Sequence, residues 1–430
     1  MSLILKNVSL LLGKDLTFVA EGYLEIGKDG IIKQAKRGPY HRGDDKEAHN
    51  NTIFDAEGFL IIPGLINAHT HIGDSLGKDV AVDSGLDARV HPIHGAKQKI
   101  LQRSKPDHLK TFIRSSALSM MKKGITTFAD FREGGIEGVK LLRDAISGLP
   151  IKCIVFGRTE YYVDITSSAT GASQRNLPSS SLQMASDVLE ISDGLGISGA
   201  NENSDETLQQ YRNLVRARNT SATKDKKKKM LTAIHAAESE NTMQLSKSYT
   251  GRTEVARIMK CLKPDIIIHM THATEKDISM VARNRTGIVV CPRANGIVGA
   301  GVPRVAKMLD IGCNVGIGTD NVMLNSPDIL RELDYIWKVS RSVERIFLSA
   351  RDILKMATVN NAEILRLDSG YIQSGRAADI IFIDKSHVDL YPIHNPFATV
   401  VHRATEASIK AVMIDGRFVD GAQFEFANNN

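Results

Sequence analysis

Two histidines, His69 and His71, stand two residues apart at the end of an apolar run that begins at Phe59. Successive side chains on a β-strand alternate, so both imidazoles would point to one face. Neutral imidazoles paired in this way form half of a divalent-metal site. Three further apolar runs also close on titratable groups: 231–238 on His235 and Glu238, 266–272 on His269 and His272, and 316–321 on Asp320. A polar group buried without a partner costs about 2–7 kcal/mol. One histidine after a strand is commonly a hydrogen-bonded structural residue. Four strand ends carrying His or Asp point to a shared centre.

Such a centre needs a fold that gathers strand ends. From residue 60 onward, short Val- and Ile-rich runs alternate with helical patterns, as repeated βα units require. Eight strand candidates result: 60–71, 124–131, 152–158, 194–200, 231–238, 265–272, 287–294 and 314–320. Between them lie stripes at helical spacing, Leu109, Phe112, Ile113, Ala117, Met120 and Met121, then Val255, Ile258, Met259 and Leu262. Gly124, Gly194, Gly287 and Gly312 fall where helices stop and strands begin. This order predicts an α/β protein built on a closed (β/α)8 TIM barrel, whose chemistry lies at the carboxyl ends of its strands.

The 430 residues exceed one bare barrel, by roughly 150 residues. Both ends return to strand-like alternation, so residues 1–58 with 370–430 are expected to build one small β-sandwich beside a barrel of 59–369. The segment 73–106 has little periodicity and many Gly, Asp and His residues, the mark of a binding loop.

Composition is ordinary for a globular protein, with 42% apolar and 24% charged residues, and there is no run long enough for a membrane span. The opening Met1–Val8 stretch is too short for a signal peptide. Cys153, Cys261, Cys291 and Cys313 show no CxxC spacing, which fits a reducing cytoplasm. The net charge of +6 is dispersed apart from 224–229, a lysine run without aromatic neighbours that reads as a solvated loop. No nucleic-acid or membrane partner is expected. A small-molecule substrate is, with homo-oligomer formation left open.

These residues resemble the metal-dependent amidohydrolase superfamily, in its cytosine/guanine deaminase and triazine-hydrolase branch. The match comprises His69-x-His71 after Pro63-Gly64, His235-x-x-Glu238, His269, Cys291-Pro292-x-x-Asn295 and Thr319-Asp320. It extends to Gly370-Tyr371-Ile372-x-x-Gly375-Arg376-x-Ala378-Asp379-Ile380 and Val412-Met413-Ile414-Asp415-Gly416 in the tail. The resemblance implies that His69, His71, His235 and Asp320 hold one divalent metal ion, zinc or alternatively iron(II). It implies Glu238, His269 and Asp320 as the catalytic groups, with His272 as the rival to His269. Binuclear relatives bring a carbamylated lysine from the fourth strand; here that strand ends Ile197-Ser198-Gly199-Ala200, which favours a mononuclear site. The other class of zinc deaminase, built on His-x-Glu and Pro-Cys-x-x-Cys, is excluded by the reversed Cys291-Pro292 order.

The expected reaction is deamination of an aminated heterocycle (purine, pyrimidine, nucleoside or triazine-like), with metal-activated water attacking a C=N carbon. Triazine-type dechlorination and amide hydrolysis use the same apparatus and are the alternatives, and an inactive scaffold is the remote one. Candidate substrate contacts are Arg158 and Glu160 after the third strand, Arg293 and Asn295 after the seventh, His272, and Asp74, His91 and His94 in the first loop. Ala294 replaces the serine of the guanine deaminase pattern Cys-Pro-x-Ser-Asn.

Overall fold

The computed structural model describes residues 2–41, 51–91, 93–162, 164–166, 176–224 and 229–419. Residues 225–228 of the lysine run and 420–430 of the tail lie outside the described residues. Two sheets organise the chain.

The first is mixed and draws on both ends of the sequence. Its strands are β1 (Leu3–Leu12), β2 (Thr17–Ile26), β3 (Ile32–Arg37), β4 (Thr52–Asp55) and β5 (Phe59–Pro63), followed much later by β15 (Ile380–Asp384), β16 (Ile409–Ile414) and β17 (Arg417–Phe418). The order is β17-β16-β15-β5-β1-β2-β3, with β4 also on β1. Leu5, Val8 and Leu10 pack with Ile61, Ile380, Phe382 and Met413 in one buried cluster. Lys152, at the start of a strand in the other sheet, forms ion pairs with Asp379 and Asp415 of the tail.

The second sheet is wholly parallel and carries the histidines. It comprises β6 (Leu65–His71), β7 (Ile125–Arg132), β8 (Lys152–Gly157), β9 (Gly194–Gly199), β10 (Leu231–Ala236), β11 (Ile266–His269), β12 (Gly287–Val290), β13 (Val315–Ile317) and β14 (Asp320–Asn321). Neighbours follow sequence order from β6 to β13, and β14 pairs with β6 at the opposite edge. Only Gly318 and Thr319 separate β13 from β14. The Gly318 amide donates to the Val290 carbonyl, and that of Thr319 to the His69 carbonyl. A Cβ at Gly318 would lie 2.7 Å from His69 Cβ, so glycine alone lets the chain pass this close.

Helices connect the strands, as the apolar stripes predicted: Pro106–Lys122, for example, buries Leu109, Ile113, Ala117, Met120 and Met121. On the parallel sheet, Ile66, Ala129, Phe131, Ala233, Ile268 and Val289 share one cluster. No helix of the described residues is long and apolar enough to cross a membrane. The four cysteines are unbridged.

The strand expectations need correction at several points; 314–320, for one, is the two short strands β13 and β14. The 60–71 run is two strands: Phe59–Pro63 belongs to the mixed sheet, paired with β15, and only Leu65–His71 enters the parallel sheet. The break falls at Gly64, where a Cβ would sit 2.4 Å from Thr126 Oγ1. The seventh strand stops at Val290 instead of reaching 294, because Pro292 opens a short helix, Pro292–Ile297. The sixth stops at His269, where the backbone turns left-handed.

Candidate active site

Each histidine reaches the site because its strand ends there. β6 delivers His69 and His71 to one side of the sheet, β10 delivers His235, and β14 delivers Asp320. His235 Nε2 lies 3.3 Å from His69 Nε2 and 3.4 Å from His71 Nε2. Asp320 Oδ1 is 3.3 Å from His69 Nε2 and 3.6 Å from that of His71. The Phe131 ring lies edge-on beneath the cluster, its centroid 4.5 Å from that of His69 and 4.9 Å from that of His235.

The outer nitrogens fix which atoms face inward. His71 Nδ1 is 2.8 Å from Glu133 Oε1, and His235 Nδ1 is 3.2 Å from the Ile197 carbonyl oxygen. With Nδ1–H donating in both rings, each Nε2 turns its lone pair to the centre. Burial drives the His71 imidazole down to about 3 and lowers those of His69 and His235 as well. Burial alone would raise the Asp320 carboxyl, but the His69 hydrogen bond and the surrounding imidazoles hold it well below the usual carboxylate range. Three neutral imidazoles and one carboxylate converging on a point fit a divalent cation.

A second group adjoins the first. Glu238, His269 and Asp320 offer ligand atoms within 4.8 Å of one another. Glu238 Oε2 lies 3.5 Å from His269 Nε2. His269 Nδ1 is 3.0 Å from Asn295 Oδ1, and Asn295 Nδ2 donates to Thr271 Oγ1 at 2.6 Å. Ala237, His269 and Asp320 have φ of 55°, 74° and 60°, left-handed values rare outside glycine. Each such residue costs about 1–3 kcal/mol, a cost borne here at strand ends that carry the polar groups.

The centre opens into a cleft of about 700 Å³ walled by His71, His235, Glu238, His269 and Asp320. Arg158 and His91, two of the candidate substrate contacts, also line it. Glu160 lines an adjoining pocket that shares His91 and Arg158. His94 stacks on His91, their ring centroids 3.8 Å apart, without lining the cleft. The remaining candidates lie elsewhere. Arg293 turns away, donating its backbone N–H to Glu332 Oε2 and its guanidinium to the Ser326 carbonyl. Asn295 is fully buried and holds His269. His272 bonds the Ala300 carbonyl through Nε2.

Three acids in and around the cleft were missed. Glu133 follows β7 and grips His71. Glu202 and Glu254 line the cleft beside Glu238, and burial pushes each carboxyl up to about 7. Glu133 was open to discovery, since its strand ends in Asp130-Phe131-Arg132-Glu133, a titratable strand end like the others. Glu202 and Glu254 carry no comparable signal in the sequence.

The depressed imidazoles oppose acid: the unfolded chain binds a proton near 6.5 that His71 in the metal-free fold refuses until about 3, so this residue costs the fold stability as the pH drops below about 6.5. The buried carboxyls of Glu202 and Glu254, raised to about 7, act in the opposite direction over the same range.

Known proteins resemble this chain along nearly its whole length. Residues 60–419 match the amidohydrolase family. A Methanothermobacter thermautotrophicus protein with the provisional name aminohydrolase is 33% identical over 417 residues, 97% of this chain and 99% of that one. The 5-methylthioadenosine/S-adenosylhomocysteine deaminase of Thermococcus sibiricus is 28% identical over 431 residues, 97% of this chain and 94% of its own. The solved structure of an adenosine deaminase from Xanthomonas campestris with bound zinc superposes with a TM-score of 0.80 at 18% identity, covering 97% of this chain and 92% of that one.

Proposed function

This chain belongs to the amidohydrolase family, and on that footing we propose that it deaminates an aminated heterocycle by hydrolysis, with adenine-type nucleosides foremost. The observation that carries this reading is the meeting of His69, His71, His235 and Asp320 beside Glu238 and His269 at the head of one cleft. Relatives named for adenosine-type deamination supply the substrate class. The scaffold is read as a closed (β/α)8 barrel, because β13 and β14 sit at opposite edges of the sheet yet only two residues apart.

His69, His71, His235 and Asp320 would hold one divalent ion. Zinc is favoured by the nitrogen-rich set, with iron(II) as the alternative. The fourth strand presents Ser198 and Gly199 to the cleft and no lysine, which supports a single ion. A bound cation of this kind lowers the pKa of its water from 15.7 to about 7. Asp320, held ionised, accepts a proton from the attacking water. Glu238 delivers its proton to the ring nitrogen next to the carbon under attack and takes one back from the new hydroxyl, while the proton taken up by Asp320 passes to the departing amine. His269, fixed by Asn295, hydrogen-bonds the incoming oxygen. Water thus replaces the amino group, and ammonia leaves.

The test is ammonia release by zinc-loaded protein from adenosine-type nucleosides, aminopurines and aminopyrimidines. Release that requires the metal is expected from at least one adenine-type compound. Fully loaded protein that releases ammonia from none of them would overturn the reading.

A further inference from the structure

Glu133 does more than hold His71. Its Oε1 is 2.8 Å from His71 Nδ1, 2.5 Å from Lys97 Nζ and 3.1 Å from Arg158 Nη1. Lys97 does not come from a barrel strand. It lies on the helix Ala96–Arg103, in the segment whose Leu86, Val90 and His91 wall the cleft. Although a lysine, it is only 5% exposed. Its Nζ also lies 4.0 Å from Asp74 Oδ2. Asp74 in turn accepts from Asn321 Nδ2 at 2.7 Å and from the Met323 amide at 3.0 Å, just beyond Asp320.

One buried cation therefore stands between two carboxylates. The first orients His71; the second pins the turn that carries Asp320. We propose that Lys97 is a positioning residue that latches the cleft-wall helices to the metal centre, so that seating of Ala96–Arg103 and retention of the divalent ion depend on each other. This rests on the reading that His71 and Asp320 are ligands. Groups behind a ligand fix its tautomer and direction, and losing one typically costs about 10–100-fold in metal affinity. The coupling is reciprocal: an ion that tightens the centre must also steady the helix that braces it.

The test uses full-length zinc-loaded protein, wild type and Lys97→Met, with Lys97→Gln as a second variant should the first fold poorly. Zinc loss to a chelator and amide hydrogen exchange over 96–103 are followed with and without zinc. Both Lys97 variants should lose zinc about 10-fold faster. Zinc should protect 96–103 in the wild type and not in the variants. Glu133→Gln should show a similar loss, and combining it with Lys97→Met should cost less than the product of the two, because the Lys97–Glu133 contact is common to both. A folded Lys97 variant that keeps zinc at the wild-type rate would overturn the latch, as would effects that multiply in the double variant. Wild-type protein that takes up no divalent ion would instead overturn the metal reading on which the latch rests.

Discussion

Glutamine at position 238 is expected to cut turnover by about a hundred- to ten-thousand-fold, the usual contribution of a positioned general acid–base, while metal content stays at the wild-type level. Glu238 sits three residues past His235, after Ala237 turns the chain at φ 55°, and its Oε2 comes within 3.5 Å of His269 Nε2. Glutamine keeps the shape and removes the transferable proton. Steady-state rates paired with metal analysis check this. The alternative has a clear signature: the ligand atoms of Glu238, His269 and Asp320 lie within 4.8 Å of one another. Loss of metal from Glu238→Gln would move Glu238 from proton transfer into the ligand set.

Alanine at position 235 should remove metal and activity together. The His235 Nε2 is the atom that faces both other imidazoles, at 3.3 and 3.4 Å. Without it, two imidazoles and one carboxylate remain, and β10 brings no other donor to that point. The loss of affinity should exceed the roughly 10–100-fold cost of removing a group behind a ligand, such as Glu133. Dialysis against chelator followed by metal analysis reads the effect. Retention of metal by His235→Ala at the wild-type level would show that the ion sits elsewhere.

Much of this site was legible because its polar groups follow a simple rule: a titratable residue closing a buried β-strand. The rule placed His69, His71, His235, His269 and Asp320, and the apolar alternation around them revealed the parallel sheet. It would also have found Glu133 had it been applied to β7. What escaped was decided by contacts far apart in sequence. Apolar residues stand on both sides of Gly64, Leu60 to Ile62 before it and Leu65 and Ile66 after it, and the change of sheet shows only in the pairing partners and in the close approach of Thr126 to Gly64. Arg293 was read as facing the cleft, but Pro292 starts a helix and Glu332, fully buried, draws the arginine away. Asn295 was read as a substrate contact; it serves His269 instead. The left-handed turn at His269 and Met270 keeps His269 beside Glu238 and leaves His272 against the Ala300 carbonyl. Lys97 lies in the aperiodic 73–106 segment, where spacing says nothing about which side chain folds inward.

The central claim is that three neutral imidazoles and an ionised aspartate gather around a single ion. Quantitative metal analysis of wild-type protein, purified without chelator and with zinc supplied during expression, tests it most directly. One equivalent of divalent metal per chain is the predicted result. Two equivalents would contradict the mononuclear centre, and none would contradict the metal site itself.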